Sequence, residues 1–234
     1  MKNKLNINGI GDIVAGEYAN IEISGIANMQ GDIRADSIEV DGKVKAFGNV
    51  KADEIEINGH VTSEGKIEAN FLDISGYFKG IDNASGEKLK VNGRIKSKNI
   101  SFKDISLVGE MFVENNCEAE DFYAEGKINI KGLLSADNIE IILQRRSNIT
   151  EIGGEKLSVR KEDKGIFSNL FFNSRYILIV EEIEADEIYL EYTKCKVVRG
   201  NNINIGEGCN IEKIEYKNKL EINEKSIVKE NYKK

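Results

Sequence analysis

The stretch IEVDGKVKAFGNVKADE, Ile38–Glu54, decides the fold, because its neighbours on both sides repeat it. IEISGIANMQGDIRADS precedes it from Ile21, and IEINGHVTSEGKIEANF follows from Ile55. LDISGYFKGIDNASGEK from Leu72 has the same length, and LKVNGRIKSKNISFKD from Leu89 is one residue shorter. ISLVGEMFVENNCEAED from Ile105 and FYAEGKINIKGLLSADN from Phe122 restore seventeen residues. A fixed short period is the signature of a solenoid, in which each unit needs neighbours above and below to bury its apolar face.

Numbered from the first apolar residue, positions 1 and 3 hold Ile21 and Ile23, Ile38 and Val40, Ile55 and Ile57, Leu72 and Ile74, Leu89 and Val91. Position 7 is apolar again (Val44, Val61, Phe78, Ile95), and positions 13 and 15 add pairs such as Val50 and Ala52 or Ile67 and Ala69. Apolar residues two apart place alternate side chains on one face of a strand, whereas a helix needs spacings of three and four. Each repeat therefore reads as three short strands, at positions 1–3, 7–9 and 13–15. Position 5 is always Gly (Gly25, Gly42, Gly59, Gly76, Gly93, Gly109, Gly126), preceded by Ser, Asp or Asn in most coils, which reads as a turn that uses positive φ. A second Gly recurs at position 11, and the third corner carries Ala-Asp or Ala-Glu, as at Ala35-Asp36 and Ala52-Asp53.

Three strands and three corners make one triangular coil. The fold class that follows is all-β: a single-stranded parallel β-helix of about 17 residues per coil, right-handed by the rule for parallel crossovers, with one insertion. Successive strands then stack about 4.8 Å apart. The 1, 7, 13 spacing also suits a left-handed hexapeptide helix, but the companions at 3, 9 and 15 and the seventeen-residue closure weaken that reading. The chain divides into β-helix repeats over 1–143, irregular coils and an apolar insertion over 144–176, and C-terminal coils with a tail over 177–234.

At 234 residues the chain can bury a substantial core. Its net charge of −7 argues against nonspecific nucleic-acid binding. The absence of proline suits a chain whose N–H groups are nearly all paired in ladders. Three cysteines, Cys117, Cys195 and Cys209, form no CxxC pair or Cys/His cluster, and Cys117 falls on inward position 13 as a small core residue. No cofactor or metal is called for. MKNKLNINGIG at the start contains no long apolar stretch, so a cytoplasmic protein without signal peptide or membrane span is expected.

The only histidine, His60, sits on an outward row with Lys43, Tyr77 and Arg94, which reads as a solvated face more readily than as a base. Position 2 stacks Glu22, Glu39, Glu56 and Asp73, while position 16 adds Asp36, Asp53, Glu87, Glu120 and Asp137. Like charges about 5 Å apart in water repel by a little under 1 kcal/mol per pair; the rows read as a solvated acidic edge, and cations or a basic partner could relieve them. Positions 6 and 8 carry Lys43, Lys45, Lys79, Arg94, Lys96 and Lys127, a basic face that could guide salt-sensitive lateral contacts. In RKEDKGIFSNLFFNSRY, Arg160–Tyr176, the residues Ile166, Phe167, Leu170, Phe171 and Phe172 share one face of a short amphipathic helix. Phe167, Leu170, Phe171 and Phe172 are candidates for a membrane or partner contact, or pack back over the broken coils.

The coils, with Φ-x-Φ-x-Gly at each start and an Ala-acid corner before the next, resemble the bactofilins over about residues 5–143 and 177–214. IEADEIYLEYTKCKVVRGNNINIGEGCNIEKIEY from Ile183 is similar to the C-terminal part of longer Gram-positive bactofilin-like proteins. The resemblance implies a bacterial cytoskeletal scaffold: a homopolymer built end to end without nucleotide, lying in the cytoplasm or against the inner face of the membrane. It further implies partners in cell-wall synthesis, cell shape or motility. The chain departs from that pattern in its larger number of coils, its lack of Pro-rich flanks and repeats that begin almost at Met1. The open ends of a β-helix supply the polymerisation contact on this reading, with Leu5 and Ile7 at one end and Ile211 and Ile214 at the other. A nonfilamentous β-helix adaptor is the alternative. A carbohydrate-active or acyl-transferring enzyme is the weaker one, because the coils are nearly loop-free and mark no convergent acids.

Overall fold

The computed structural model describes residues 2–162 and 176–234. Every regular element among them is a β-strand, and every pairing is parallel. The chain forms two compact units, Met1–Glu114 and Asn115–Lys234. Each is a parallel β-solenoid.

The first unit contains β1 (Asn3–Ile7), β2 (Ile10–Ile23), β3 (Ile26–Val40), β4 (Lys43–Ala46), β5 (Val50–Ile57), β6 (His60–Ser63), β7 (Ile67–Ile74), β8 (Tyr77–Gly80), β9 (Ala84–Val91), β10 (Arg94–Ser97) and β11 (Ile100–Val113). The register is the repeat made visible: Ile21 pairs with Ile38, Ile38 with Ile55, Ile55 with Leu72 and Leu72 with Leu89. The inward rows at positions 1, 3, 7, 9, 13 and 15 are buried as expected, and Ile21, Leu72, Ile74, Leu89 and Val91 are fully so. Phe78, stacked between Val61 and Ile95, is 1% exposed, and the apolar void among Val44, Val61, Ile67 and Phe78 holds only about 20 Å³. That is about one water's worth of room with no polar lining, so the core is dry.

Two corners differ from their sequence reading. The Ala-acid corner does not end a strand. Val50–Ile57 runs through it as one strand, pairing Ala35 with Ala52 and then Ser37 with Glu54, so only the acid between them leaves the ladder. The coils between Lys43 and Ser97 therefore alternate short and long strands. The position-5 glycines from Gly25 to Gly109 do not use positive φ. They are glycine because the coils approach too closely: a Cβ on Gly25 or Gly42 would lie 2.8 Å from the carbonyl carbon of the preceding glycine and nearer still to its oxygen. Amides there hydrogen-bond straight down the stack, as Lys43 N–H to Gly25, His60 N–H to Gly42 and Tyr77 N–H to Gly59.

The second unit contains β12 (Cys117–Glu118), β13 (Asp121–Leu143), β14 (Ser147–Lys161), β15 (Leu178–Leu190), β16 (Thr193–Ile205), β17 (Asn210–Ile222) and β18 (Ile227–Lys233). Residues 147–161, where one more strand is expected only at Leu157 and Val159 among irregular coils, form a regular strand throughout, with Ile149, Ile152, Leu157 and Val159 in the inward rows under Val180, Ile183, Ile188 and Leu190. Ser147 takes the inward place that Ile128 holds one coil before: fully buried, its Oγ accepts the Ile128 N–H at 3.0 Å. Ser147 pairs with Leu178, and Leu178 with Thr193. The step is thus 31 residues across 162–177 and 15 in the next coil, so the excess of 16 enters at a single corner. The amphipathic helix expected over Ile166–Phe172, and with it Phe167, Leu170, Phe171 and Phe172, lies outside the described residues.

Candidate functional site

Chemistry on a solenoid sits either on its terminal turns or on the columns that stacking builds. In the terminal turn of the first unit, β1 pairs with β2, setting Leu5 on Ile21 and Ile7 on Ile23; no strand pairs with its other edge among the described residues. Leu5 and Ile7 are half-buried, Ile13 is buried, and Ile10 and Val14 stand 86% and 66% exposed. A Cβ on Gly9 would meet nothing within 4 Å, unlike the glycines stacked above it.

The other end differs from expectation. Ile211 and Ile214 are fully buried, because β18 covers them, pairing Val228 with Ile211 and Asn231 with Ile214. The tail, whose weak alternation reads as a cover for the last coil, forms a full strand there, since ladder hydrogen bonds do not require apolar side chains. The terminal apolar groups there are Ile222 (41% exposed), Ile227 (63%) and Tyr232 (50%).

Columns on the first unit carry the charge. Position 2 runs Glu22, Glu39, Glu56, Asp73, Lys90 in direct register. Lys90 closes it at 2.9 Å from Asp73. Glu22 accepts from Asn6 at 3.1 Å and Glu56 from Asn58 at 2.9 Å. Glu39 has no such donor among the described residues, and Asp41 beside it, burial, and the Glu56 and Glu22 carboxylates raise its pKa above the usual carboxylate value. At position 16 the like-charge problem is solved within the chain. Asn70 donates to Asp53 at 3.1 Å one coil below, and Lys2 pairs with Asp36. The second unit repeats the device with Asn138 on Asp121 (2.9 Å), Asn201 on Asp186 and Asn202 on Glu187 (2.6 Å each). Sequence reasoning missed it, although position 16 reads Asp36, Asp53, Asn70. Among the described residues no group of three His, Cys, Asp or Glu side chains is placed to hold a metal ion.

Across the glycine corner lies the basic facet. Its columns are Lys43, His60, Tyr77, Arg94, Glu110 and Lys45, Thr62, Lys79, Lys96, Phe112. Three of its cations are neutralised locally: Lys45 by Glu64 (2.9 Å), Arg94 by Glu110 (2.8 Å) and Lys96 by Glu114 (3.1 Å). Lys45 also lies 4.3 Å from the centre of the Phe47 ring. His60 stacks against Tyr77 with ring centres 4.6 Å apart, over an open trough of about 640 Å³ floored by Gly76 and Gly93. Its imidazole makes no hydrogen bond to a carboxylate or hydroxyl among the described residues, so no acid–base pair is assembled there.

In the second unit, the two ends of the 162–177 excursion meet a tyrosine and carboxylate cluster. Lys161 lies 4.9 Å from the Tyr192 ring centre and 5.4 Å from that of Tyr176, and its amide donates to Glu191 at 3.1 Å. Tyr192 adopts φ +44°, the only non-glycine residue with positive φ among those described, and donates its hydroxyl to Glu207 at 2.6 Å. Gly208 makes the room, since a Cβ there would lie 2.7 Å from the Tyr192 ring. Tyr189 donates to Glu191 at 2.5 Å; that bond, with burial, pushes its pKa up to about 12. Further along, Glu215 gathers Lys213 and Lys234 at 2.5 Å and Arg199 at 3.3 Å, and the two lysines hold its carboxyl down at about 2. Cys117, Cys195 and Cys209 are free and buried, which raises all three thiols and keeps them out of thiolate chemistry.

No family model matches the chain, and no solved structure matches it. It is similar to two proteins of Bacillus subtilis (strain 168), both described as uncharacterized: YhbF, 38% identical over 100 residues, and YhbE, 43% identical over 88. The matches cover 42% and 37% of this chain and 40% and 37% of those proteins, so the chain spans about two fifths of each relative. Among the described residues no helix is long and apolar enough to cross a membrane.

Proposed function

We propose that the chain is a bactofilin-like scaffold that associates with itself end to end, without nucleotide, into filaments that organise other proteins. The observation that carries this reading is the turn around β1. Leu5, Ile7 and Ile13 continue the inward apolar rows there, Ile10 and Val14 are exposed, and the outer strand edge is unpaired among the described residues. Unpaired edges template further pairing. A second copy would satisfy those backbone groups and extend the core. At the other end the contact shifts from Ile211 and Ile214 to Ile222, Ile227 and Val228. Cell shape, placement of wall enzymes and motility are the roles the resemblance offers.

Purified protein without nucleotide, examined by negative-stain electron microscopy and sedimentation velocity, tests the proposal. Filaments are expected, and Leu5→Lys with Ile7→Lys should abolish them while circular dichroism stays unchanged. Filaments that survive both substitutions refute the joint. Particles that stay single at high concentration refute the filament and favour the adaptor.

A further inference from the structure

The dipeptide Asn-Gly stands at Asn8-Gly9, Asn58-Gly59 and Asn92-Gly93, each time at positions 4 and 5 of the repeat. The three corners are alike in sequence and differ in what lies beneath them. Asn58 N–H and Gly59 N–H both donate to the Val40 carbonyl at 2.9 Å, and Asn92 N–H and Gly93 N–H to the Ile74 carbonyl at 2.8 and 3.1 Å. A Cβ on Gly59 would lie 2.7 Å from the carbonyl carbon of Asp41, and one on Gly93 2.8 Å from that of Ser75, so neither backbone has room to shift. The Asn58 side chain is held as well, donating to Asp41 at 3.1 Å and to Glu56 at 2.9 Å. At Asn8-Gly9 these restraints are missing. Among the described residues neither amide has a backbone acceptor and the Asn8 side chain makes no hydrogen bond. Both residues are exposed, and a Cβ on Gly9 would meet nothing within 4 Å.

We propose that Asn8-Gly9 is a self-modification site, at which Asn8 deamidates with water as the co-reactant while Asn58 and Asn92 are protected by the fold. The Gly9 nitrogen gives its proton to a solvent base and attacks Asn8 Cγ. The new C–N bond closes a succinimide ring as the bond from Cγ to Nδ2 breaks, and the departing nitrogen takes a proton from water and leaves as ammonia. Water then opens the ring at either carbonyl, which leaves aspartate or isoaspartate at position 8; nothing is oxidised or reduced. Glycine in the second place puts no side chain in the path of that attack. In the stacked corners the same nitrogen is already donating, so it reaches Cγ only when the coil opens. The consequence for assembly rests on the end-to-end reading above. The modified corner is the one a second copy would cover. Deamidation adds a carboxylate there, and isoaspartate also lengthens the backbone of the turn. A docked copy would supply the acceptor that Gly9 lacks, as the Val40 carbonyl does for Gly59, so a joined end is protected and a free end ages.

Peptide mapping by mass spectrometry follows all three asparagines in one sample kept in mildly alkaline buffer. At a dilution where sedimentation velocity shows single particles, Asn8 is expected to deamidate at least about tenfold faster than Asn58 and Asn92. Tenfold corresponds to about 1.4 kcal/mol, the worth of one or two ladder hydrogen bonds. In urea the three rates should converge, because only the fold separates them. Asn8 no faster than the other two in the folded protein, or an advantage that survives in urea, overturns the proposal. At concentrations that give filaments, Asn8 should slow by a similar factor. Filaments with undiminished deamidation at Asn8 overturn the protection of the joined end and leave the filament standing. Single particles at every concentration, with Asn8 still the fast site, sink the scaffold reading and uphold the modification site. Ser24 and Ser75 fill the same place in other coils, so Asn8→Ser keeps the turn. Aged Asn8→Ser protein should still grow end to end where the aged unmodified protein has stopped, and equal growth by the two refutes the effect on the joint.

Discussion

Adding one methyl group at Gly76 tests the stacking argument most directly. A Cβ there would lie 2.7 Å from the carbonyl carbon of Asn58, and nearer still to the carbonyl oxygens of Asn58 and Gly59. Carbon contacts are comfortable at about 3.5–4.0 Å, so the corner must open by about 1 Å. Two bonds span that gap, Gly76 N–H to Ile57 and Tyr77 N–H to Gly59, both 2.9 Å long. Stretched by about 1 Å they cease to be hydrogen bonds. Losing both, together with the strain of overpacking, gives about 3–5 kcal/mol for Gly76→Ala. Gly9 occupies the same repeat position with nothing beneath it, so Gly9→Ala should cost nothing or stabilise by about 0.4–1 kcal/mol. Urea unfolding followed by circular dichroism measures both, in 1 M NaCl on the Leu5→Lys/Ile7→Lys background to suppress assembly. A cost below about 1 kcal/mol at Gly76, or equal costs at the two sites, would refute the claim that coil-to-coil approach dictates these glycines. In the unmodified background, Gly9→Ala should impair end-to-end growth without changing monomer stability, because its methyl would occupy the joint.

Three other outcomes follow from the described geometry. Phe78→Ala should cost about 3–5 kcal/mol and lower the thermal midpoint, since Phe78 is 1% exposed and stacked between Val61 and Ile95; a loss under about 1.5 kcal/mol would mean that the core collapses freely. Glu215 titrates near 2 in the fold and near 4.3 when unfolded, so its contribution is full above the unfolded value and fades as pH falls through the folded one. The last coils should therefore loosen between about pH 4.5 and 2, hydrogen exchange there should rise, and Glu215→Gln should flatten that dependence; an unchanged pH profile in the variant would contradict the assignment. Deleting residues 162–177 joins Lys161 to Leu178 and leaves a coil equal in length to the next one. The shortened protein should keep its strand signal and cooperative melting, and loss of either would show that the excursion helps to hold the coils.

The inward rows were legible because two periods agree, 2 within a strand and 17 between coils; nothing else places Ile38, Ile55 and Leu72 on one column. Glycine positions were legible too, but their reason was not. A turn glycine and a close-approach glycine look alike in one sequence, and only the distance to the coil below separates them. Leu157 and Val159 were legible as a strand, but the start of β14 was not, because Ser147 fills an inward strand position with a hydroxyl, a substitution visible only once its hydrogen bond from Ile128 is placed. The tail was legible as a cover for the last coil, but not as a full strand to Lys233, because Lys229, Glu230 and Asn231 contribute backbone pairing, which leaves no apolar trace. The acid rows read as a solvated edge that cations or a basic partner could relieve. The asparagines that serve some of them, Asn6 on Glu22 and Asn70 on Asp53, stand one coil away, and partnership at that distance becomes plain only when the coils are laid in register.

The coil from Leu89 is one residue short, and the deficit falls at a corner, where Lys98-Asn99 stands in place of Ile81-Asp82-Asn83. Ile95 still sits on Phe78 and Ile100 on Ala84, so the missing residue disturbs no inward row. The 16-residue excess between β14 and β15 is the same tolerance on a larger scale. In most folds a single inserted or deleted codon inside a strand shifts every side chain beyond it to the wrong face. Here each corner resets the reading frame of the core, so a lineage can lengthen, shorten or graft segments at the edges while the stack goes on being built. Such a chain can acquire new surface without first solving the folding problem again.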